Sequence, residues 1–289
     1  MQQTKEINAL FTLIDDPDEE VYGTVSERIV GFGKGIIPNL EDLWENTLKE
    51  DVQERIEMLI HRLHYTDLTN DLKEWSNSAY HDLLFGAILI AKYQYPDLHT
   101  TPVLQEIEKI RRNVWLELNS YLTPLEQANV LSSIMYNYYK LKGVEVNYTN
   151  PDDFFIHKVL ETKNGNAISN GIIYQVMCEL LDINAKVINI PKQMIIAFYH
   201  SDYDPLTFKG HPQEKIHFYV DGVNGQAYSH KDIENYFKRI NVPATASFYK
   251  PLSHKRIIQV LIEELAKCFD LPSNDYKQKE LQALADLLD

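Results

Sequence analysis

ETKNGNAISNGIIYQVMCELLDINAKVINIPKQMIIAFY, residues 161–199, contains the change of apolar period on which the fold class turns. A glycine-bearing turn opens an apolar helical run at 167–182. AKVINI and MIIAFYH then follow as β-branched and aromatic strand candidates. A short loop feeding a helix N-terminus suits a nucleophile, because the free N–H groups and the positive helix end stabilise an anion there. This turn supplies Asn166, Ala167 and Ser169, and no cysteine. The stretch has the layout of a reactive site without the thiol.

Outward from it, KIHFYVDG is a third strand candidate, closed by a turn at Asp221-Gly222-Val223-Asn224-Gly225. Upstream, to residue 139, the spacing is helical. An acidic turn at Asp15-Asp16-Pro17-Asp18 precedes a helix with Val21, Val25, Ile29 and Phe32 on one face. IIPNLEDLWENTL follows as a short helix with Pro38 in its first turn, and LKEDVQERIEMLIHRL repeats an apolar face through Val52, Ile56, Leu59, Ile60 and Leu63. Acidic turn, helix, proline and helix, repeated after about 35 residues, resemble a HEAT-type unit. Further helices are expected at 79–93, 102–118, 124–140 and 151–161, the third started by Thr123-Pro124 with Glu126 and stopped before Gly143. After the strands come AYSHKDIENYFKRI and helices at 253–269 and 275–288. The class is α+β: a helical N-terminal half, a helix-plus-antiparallel-sheet core and a helical tail.

Composition removes several functions. A net charge of −14 with a pI near 5.2 repels phosphate backbones, so no nucleic-acid partner is expected. The excess is concentrated early, with 17 Asp or Glu against 7 Lys or Arg in residues 1–75. That reads as a solvated helical face, with a docking surface for a basic partner as the other option. LLFGAILIA at 83–91 is too short to span a bilayer, and MQQTKEINAL lacks a secretory apolar core, so a cytoplasmic protein without membrane contact is expected. Cys178 and Cys268 form no CxxC framework; they read as buried small residues, or as one disulfide. GFGKG at 31–35 lacks the spacing and the preceding strand of a phosphate loop. No cofactor is expected.

Five features recur in order between about residues 105 and 265: Pro124-Leu125-Glu126; Phe155, Val159, Leu160, Glu161 and Gly165; Ala167, Ile168, Ser169, Gly171 and Tyr174; Asn189-Ile190-Pro191; and Asp221, Asn224 and Gly225. In these the chain resembles the bacterial transglutaminase-like proteins of the SirB type. The resemblance implies a transglutaminase/papain-like core. It also implies a Cys at the start of the central helix, a His on the next strand and an Asp or Asn on the strand after. The chemistry needs that order, because the helix end lowers the thiol pKa, the imidazole takes its proton and the acid orients the imidazole.

At those three positions this sequence has Ala167, Gln193 and Asp221. Alanine carries no nucleophile, and a glutamine amide exchanges no proton near neutral pH. Ser169 is the alternative nucleophile, with His157 or His217 as its base; a helix cap and a surface-facing histidine are the plainer roles. Cys178 lies about three turns further along the helix, a core position. Glu57, His61 and His64 can share a helix face, and His200, Asp202, Asp204 and His211 cluster in one insertion. Both sets read as polar surface before metal site, and no metal is expected.

The sequence thus leads to three segments: helices over 1–100, possibly HEAT-like; a transglutaminase-like core over 101–252; and C-terminal helices over 253–289. The expected function is a pseudoenzyme that binds a protein or peptide partner in a groove offering Asn166, Ser169, Gln193, Asp221 and Asn224. The alternative is an amide- or ester-processing hydrolase or acyltransferase using Ser169. In a third reading the groove is filled with apolar side chains and only the helices function.

Overall fold

In a computed structural model describing residues 2–191, 193–270 and 275–289, the chain divides into two units, 1–74 and 75–289. The first is helical. It comprises α1 (Gln2–Thr12), α2 (Glu19–Val30), α3 (Ile37–Asn46) and residues 50–74 of α4 (Glu50–Asn77). Asp18 caps α2 by accepting Glu20 N–H, and Pro38 occupies the first turn of α3. The apolar faces read from spacing meet in one core through Ile14, Ile29, Leu40, Ile56 and Leu59. Arg55 of α4 donates to the carbonyls of Ile14 and Asp16 at 2.9 and 2.7 Å and to Glu19 at 2.7 Å. This guanidinium ties α4 to the acidic turn, whose Asp15 carboxylate pairs with Lys49.

The second unit contains α5 (Leu83–Lys92), α6 (Thr100–Glu117) and α7 (Pro124–Ser132), which runs on as a π-helical turn over Ser133–Tyr138. Two short parallel strands, β1 (Lys142–Gly143) and β2 (Asn164–Gly165), flank α8 (Ile156–Thr162) and lead into α9 (Ala167–Leu180). An antiparallel meander follows: β3 (Ala185–Ile190), β4 (Gln193–Tyr199), β5 (Ile216–Asp221) and β6 (Ala227–Tyr228). The chain closes with α10 (His230–Ile240), α11 (His254–Ala266) and α12 (Asp275–Asp286).

Every residue of α9 from Ile168 to Cys178 is buried, so this helix is covered all round and lies in the centre of the unit. It packs on β3 and β4 on one side and on α5, α8 and α11 on others. On the opposite face of the sheet Ile188, Ile195 and Tyr219 join Ile233 and Phe237 of α10 and Tyr249. The sheet is therefore covered on both faces, as the near-continuous apolar reading of AKVINI and MIIAFY requires.

The expected α+β architecture is present, with shifted ends. The helix expected from 79 starts at Leu83, because Ser78 Oγ donates to the Trp75 and Tyr80 carbonyls and Asp82 accepts Phe85 N–H as the N-cap. The helix expected from 151 begins as a 3₁₀ turn over Pro151–Phe154, and α8 proper starts at Ile156. The two-residue strands β1, β2 and β6 are too short to show any period.

Candidate functional site

The start of α9 is closed by its own side chains. Asn166 Oδ1 accepts the N–H groups of Ile168 and Ser169 at 2.9 and 3.1 Å, and Ser169 Oγ accepts Asn166 N–H at 3.0 Å. This is a capping box, and it occupies the Ile168 and Ser169 N–H groups at the helix start. Ser169 is 1% exposed, and its hydroxyl donates to the Asp153 carbonyl at 2.7 Å. No imidazole is among its hydrogen-bond partners. His157 lies against Tyr95, and His217 is exposed, its ring centroid 3.7 Å from that of His200. The structure places Ser169 in a cap and both candidate bases elsewhere.

The pleat of β4 separates the three positions expected from the sequence, Ala167, Gln193 and Asp221. Successive side chains of a strand point to opposite faces, and directly paired residues share a face. Gln193, Ile195 and Ala197 thus lie on the α10 side, together with Asp221, which pairs with Ile195. Met194, Ile196 and Phe198 face α9: Met194 Sδ is 3.9 Å from where a Cβ on Gly171 would sit, and the Phe198 ring packs edge-on against Tyr174 at 6.4 Å. The backbone of Gly222 lies against the Ala167 carbonyl, while Ala167 itself stays partly exposed. A Cβ on Gly222 would come within 3.0 Å of the Ala167 carbonyl oxygen, and Tyr136 Oη clamps the Gly222 carbonyl at 2.6 Å. Gln193 and Asp221 come together; Ala167 does not join them.

Asp221 and Asn224 form the β5–β6 turn. Asp221 Oδ1 accepts Val223 N–H at 2.7 Å and Asn224 Oδ1 accepts Gln226 N–H at 2.9 Å, while Gly225 takes a positive φ of 73°. Cys178 and Cys268 are both free thiols. Burial pushes the Cys178 thiol far up and the Cys268 thiol up to about 12. In the 200–215 insertion Asp202 pairs with Lys215, Asp204 accepts from Leu206 N–H and Thr207 Oγ1, and His211 Nδ1 accepts Gln213 N–H. Glu57 accepts Trp44 Nε1–H at 3.0 Å. Among the described residues no group of three or more His, Cys, Asp or Glu is placed to hold a metal ion.

Gln193 and Asp221 open instead onto a cleft of about 340 Å³ beneath α10, walled by Tyr228, Asp232, Tyr236 and Arg239. Burial and the neighbouring Asp221 carboxylate raise the Tyr228 hydroxyl pKa. The Arg239 guanidinium lies 5.4 Å from the Tyr236 ring centroid and takes part in no ion pair among the described residues. Sequence reading gave AYSHKDIENYFKRI as a helix and singled out none of Asp232, Tyr236 and Arg239. Their spacing of i, i+4 and i+7 from Asp232 was the available signal.

A buried central helix packed on an antiparallel meander, its first turn pressed against the β5–β6 turn, defines the class of this protein. The family model of the transglutaminase-like superfamily matches residues 101–263, more than half of the chain, and the chain belongs to that superfamily. No curated protein and no solved structure matches it. No helix among the described residues is long and apolar enough to cross a membrane.

Proposed function

We propose that this chain is a non-catalytic transglutaminase-like protein that works by binding a protein or peptide. One observation carries the reading: the first turn of α9 has Ala167 and Ser169 held in a capping box, and the β4 residue facing that helix is Met194. Neither a nucleophile nor a proton acceptor is available there, and triad groups act as a unit. The α10 cleft keeps polar groups suited to recognition without turnover. Gln193 can donate to and accept from a peptide backbone, and Arg239, stacked on Tyr236, can take a carboxylate.

In this reading the protein is a SirB-type member acting in the cytoplasm. Its helices over 1–100 form a HEAT-like segment, its core spans 101–252, and the C-terminal helices follow from 253. The test is peptide display panned on the intact chain and on Arg239→Glu, alongside fluorogenic amide and ester substrates. Enriched peptides lost by the variant, with no turnover, are the expected result. Turnover by the wild type that disappears in Ser169→Ala overturns the reading, as does an absence of any enriched peptide.

A further inference from the structure

The face that α10 turns to the 340 Å³ cleft carries Asp232, Asn235, Tyr236 and Arg239, at i, i+3, i+4 and i+7. At about 1.5 Å per residue, the helix rises about 10 Å from Asp232 to Arg239. An extended peptide covers that length in about three residues. Gln193 and Asp221 line the cleft from the sheet, and Ile195 and Ile233 give it apolar surface.

The charges of this lining are segregated. Asp232, in the first turn of α10, accepts the Ser229 N–H at 2.8 Å, and Asp221 accepts the Val223 N–H at 2.7 Å. These donors are neutral and leave both carboxylates charged; the Ser229 hydroxyl and N–H hold the Asp232 carboxyl below its ordinary pKa. Arg239 is the cation of the lining, seven positions further along the helix. Its guanidinium rests on the Tyr236 ring, and Tyr236 is fixed in turn by its hydroxyl, which donates to the Pro191 carbonyl at 2.6 Å. Among the described residues none of these three charges takes part in an ion pair.

Two carboxylates against one guanidinium make the lining repel a ligand whose only charge is negative. A carboxylate is matched to Arg239 only where the same ligand brings a cation to the acidic end. Gln193 and Asn235 add side-chain carboxamides, which make no hydrogen bond among the described residues. Each carboxamide offers a donor and an acceptor, the same pair that a peptide unit presents.

We propose, resting on the peptide-binding reading of this cleft, that its ligand is a short extended segment with two opposite charges. A lysine or arginine side chain meets Asp221 and Asp232, and a carboxylate two residues on meets Arg239. Gln193 and Asn235 bind the main chain between them. The carboxylate is either a free C-terminus or a glutamate side chain.

The experiment follows amide chemical shifts of the isotope-labelled full chain. The probes are acetyl-Lys-Ala-Ala as free acid and as C-terminal amide, acetyl-Lys-Ala-Glu-amide, and acetyl-Ala-Ala-Ala as free acid. Ligands of that size bind at about millimolar concentration, and each is titrated through that range. Saturable shifts confined to residues 193–195, 219–222 and 228–239 are expected. The Lys-Ala-Ala amide and the alanine peptide should each bind about tenfold more weakly than the better of the two doubly charged peptides. Which of those two is tighter identifies the source of the carboxylate. Arg239→Gln should lower the doubly charged peptides to the affinity of the Lys-Ala-Ala amide and leave that amide unchanged. Equal affinity of all four peptides overturns the charge pairing and leaves the cleft a peptide site. Shifts elsewhere, no saturation by any peptide, or unchanged binding by Arg239→Gln also overturn it. The binding reading itself fails on a different result, turnover or an empty display.

Discussion

His254 Nε2 lies 2.7 Å from Glu179 Oε1 while His254 Nδ1 faces the carbonyl oxygen of His81, so both ring nitrogens meet acceptors. The ring is held as an imidazolium between α9, α11 and the residues before α5. Burial opposes its charge, but the Glu179 carboxylate outweighs it and raises the His254 pKa above 6.5. Burial likewise opposes ionisation of Glu179, and His254 with Lys186 overcomes it, bringing that carboxyl down to about 2.

The pair therefore makes stability depend on pH from both sides. The histidine contribution is full below 6.5 and is lost as pH rises through its raised folded value. The glutamate contribution is full above 4.5 and is lost as pH falls toward about 2. Thermal unfolding of the wild type should show a loss of stability above pH 6.5 that His254→Gln flattens. At pH 6 the variant should be less stable by about 2 kcal/mol, because Glu179 stays buried with one cation fewer. An identical slope in the two proteins would refute the pairing.

Ser169→Ala should destabilise the second unit by about 1–3 kcal/mol, since it strands the Asp153 carbonyl and the Asn166 N–H in a buried site. Urea unfolding measures this. A serine-directed fluorophosphonate should leave the wild type unlabelled, for want of an imidazole to activate the hydroxyl.

Both thiols should resist chemistry in the folded chain. With Cys178 fully buried and Cys268 pushed up to about 12, reaction with Ellman's reagent at pH 8 should be slow natively and release two thiols in denaturant. Rapid native labelling of Cys178 would contradict the packing of α9.

Gly143→Ala should be costly. An added Cβ would lie 2.2 Å from the Val223 carbonyl oxygen and 2.6 Å from its Cα, where backbone would have to move. Overpacking of that kind costs about 1–3 kcal/mol. Gly23→Ala, with nothing within 4 Å on α2, should instead stabilise the first unit, by about 0.5–1 kcal/mol. Calorimetry of the two variants separates these effects.

Much of this was legible in the sequence because it rests on neighbours in the chain. The Thr123–Glu126 capping box, the Asp18 cap, Pro38 in its first turn and the apolar faces around Ile29 and Ile56 are local matters of spacing and hydrogen-bond chemistry. So is the place of Ala167 at the start of α9, after the Asn166 cap. Strands at 185–199 and 216–221 followed from β-branched and aromatic runs.

The tertiary structure alone decided which side of β4 the central helix would cover. A continuous apolar strand has no polar face to mark its phase, so Met194 rather than Gln193 meets α9 only because of how helix and sheet pack across the chain. That phase moves Gln193 and Asp221 into the cleft with Arg239, away from Ala167. The contact of Tyr95 with His157, 62 positions apart, arises in the same way, through the packing of α5, α6 and α8. The sequence by itself determined the elements and their caps. Folding decided which side chains share a site, because that depends on contacts between distant segments that no local pattern records.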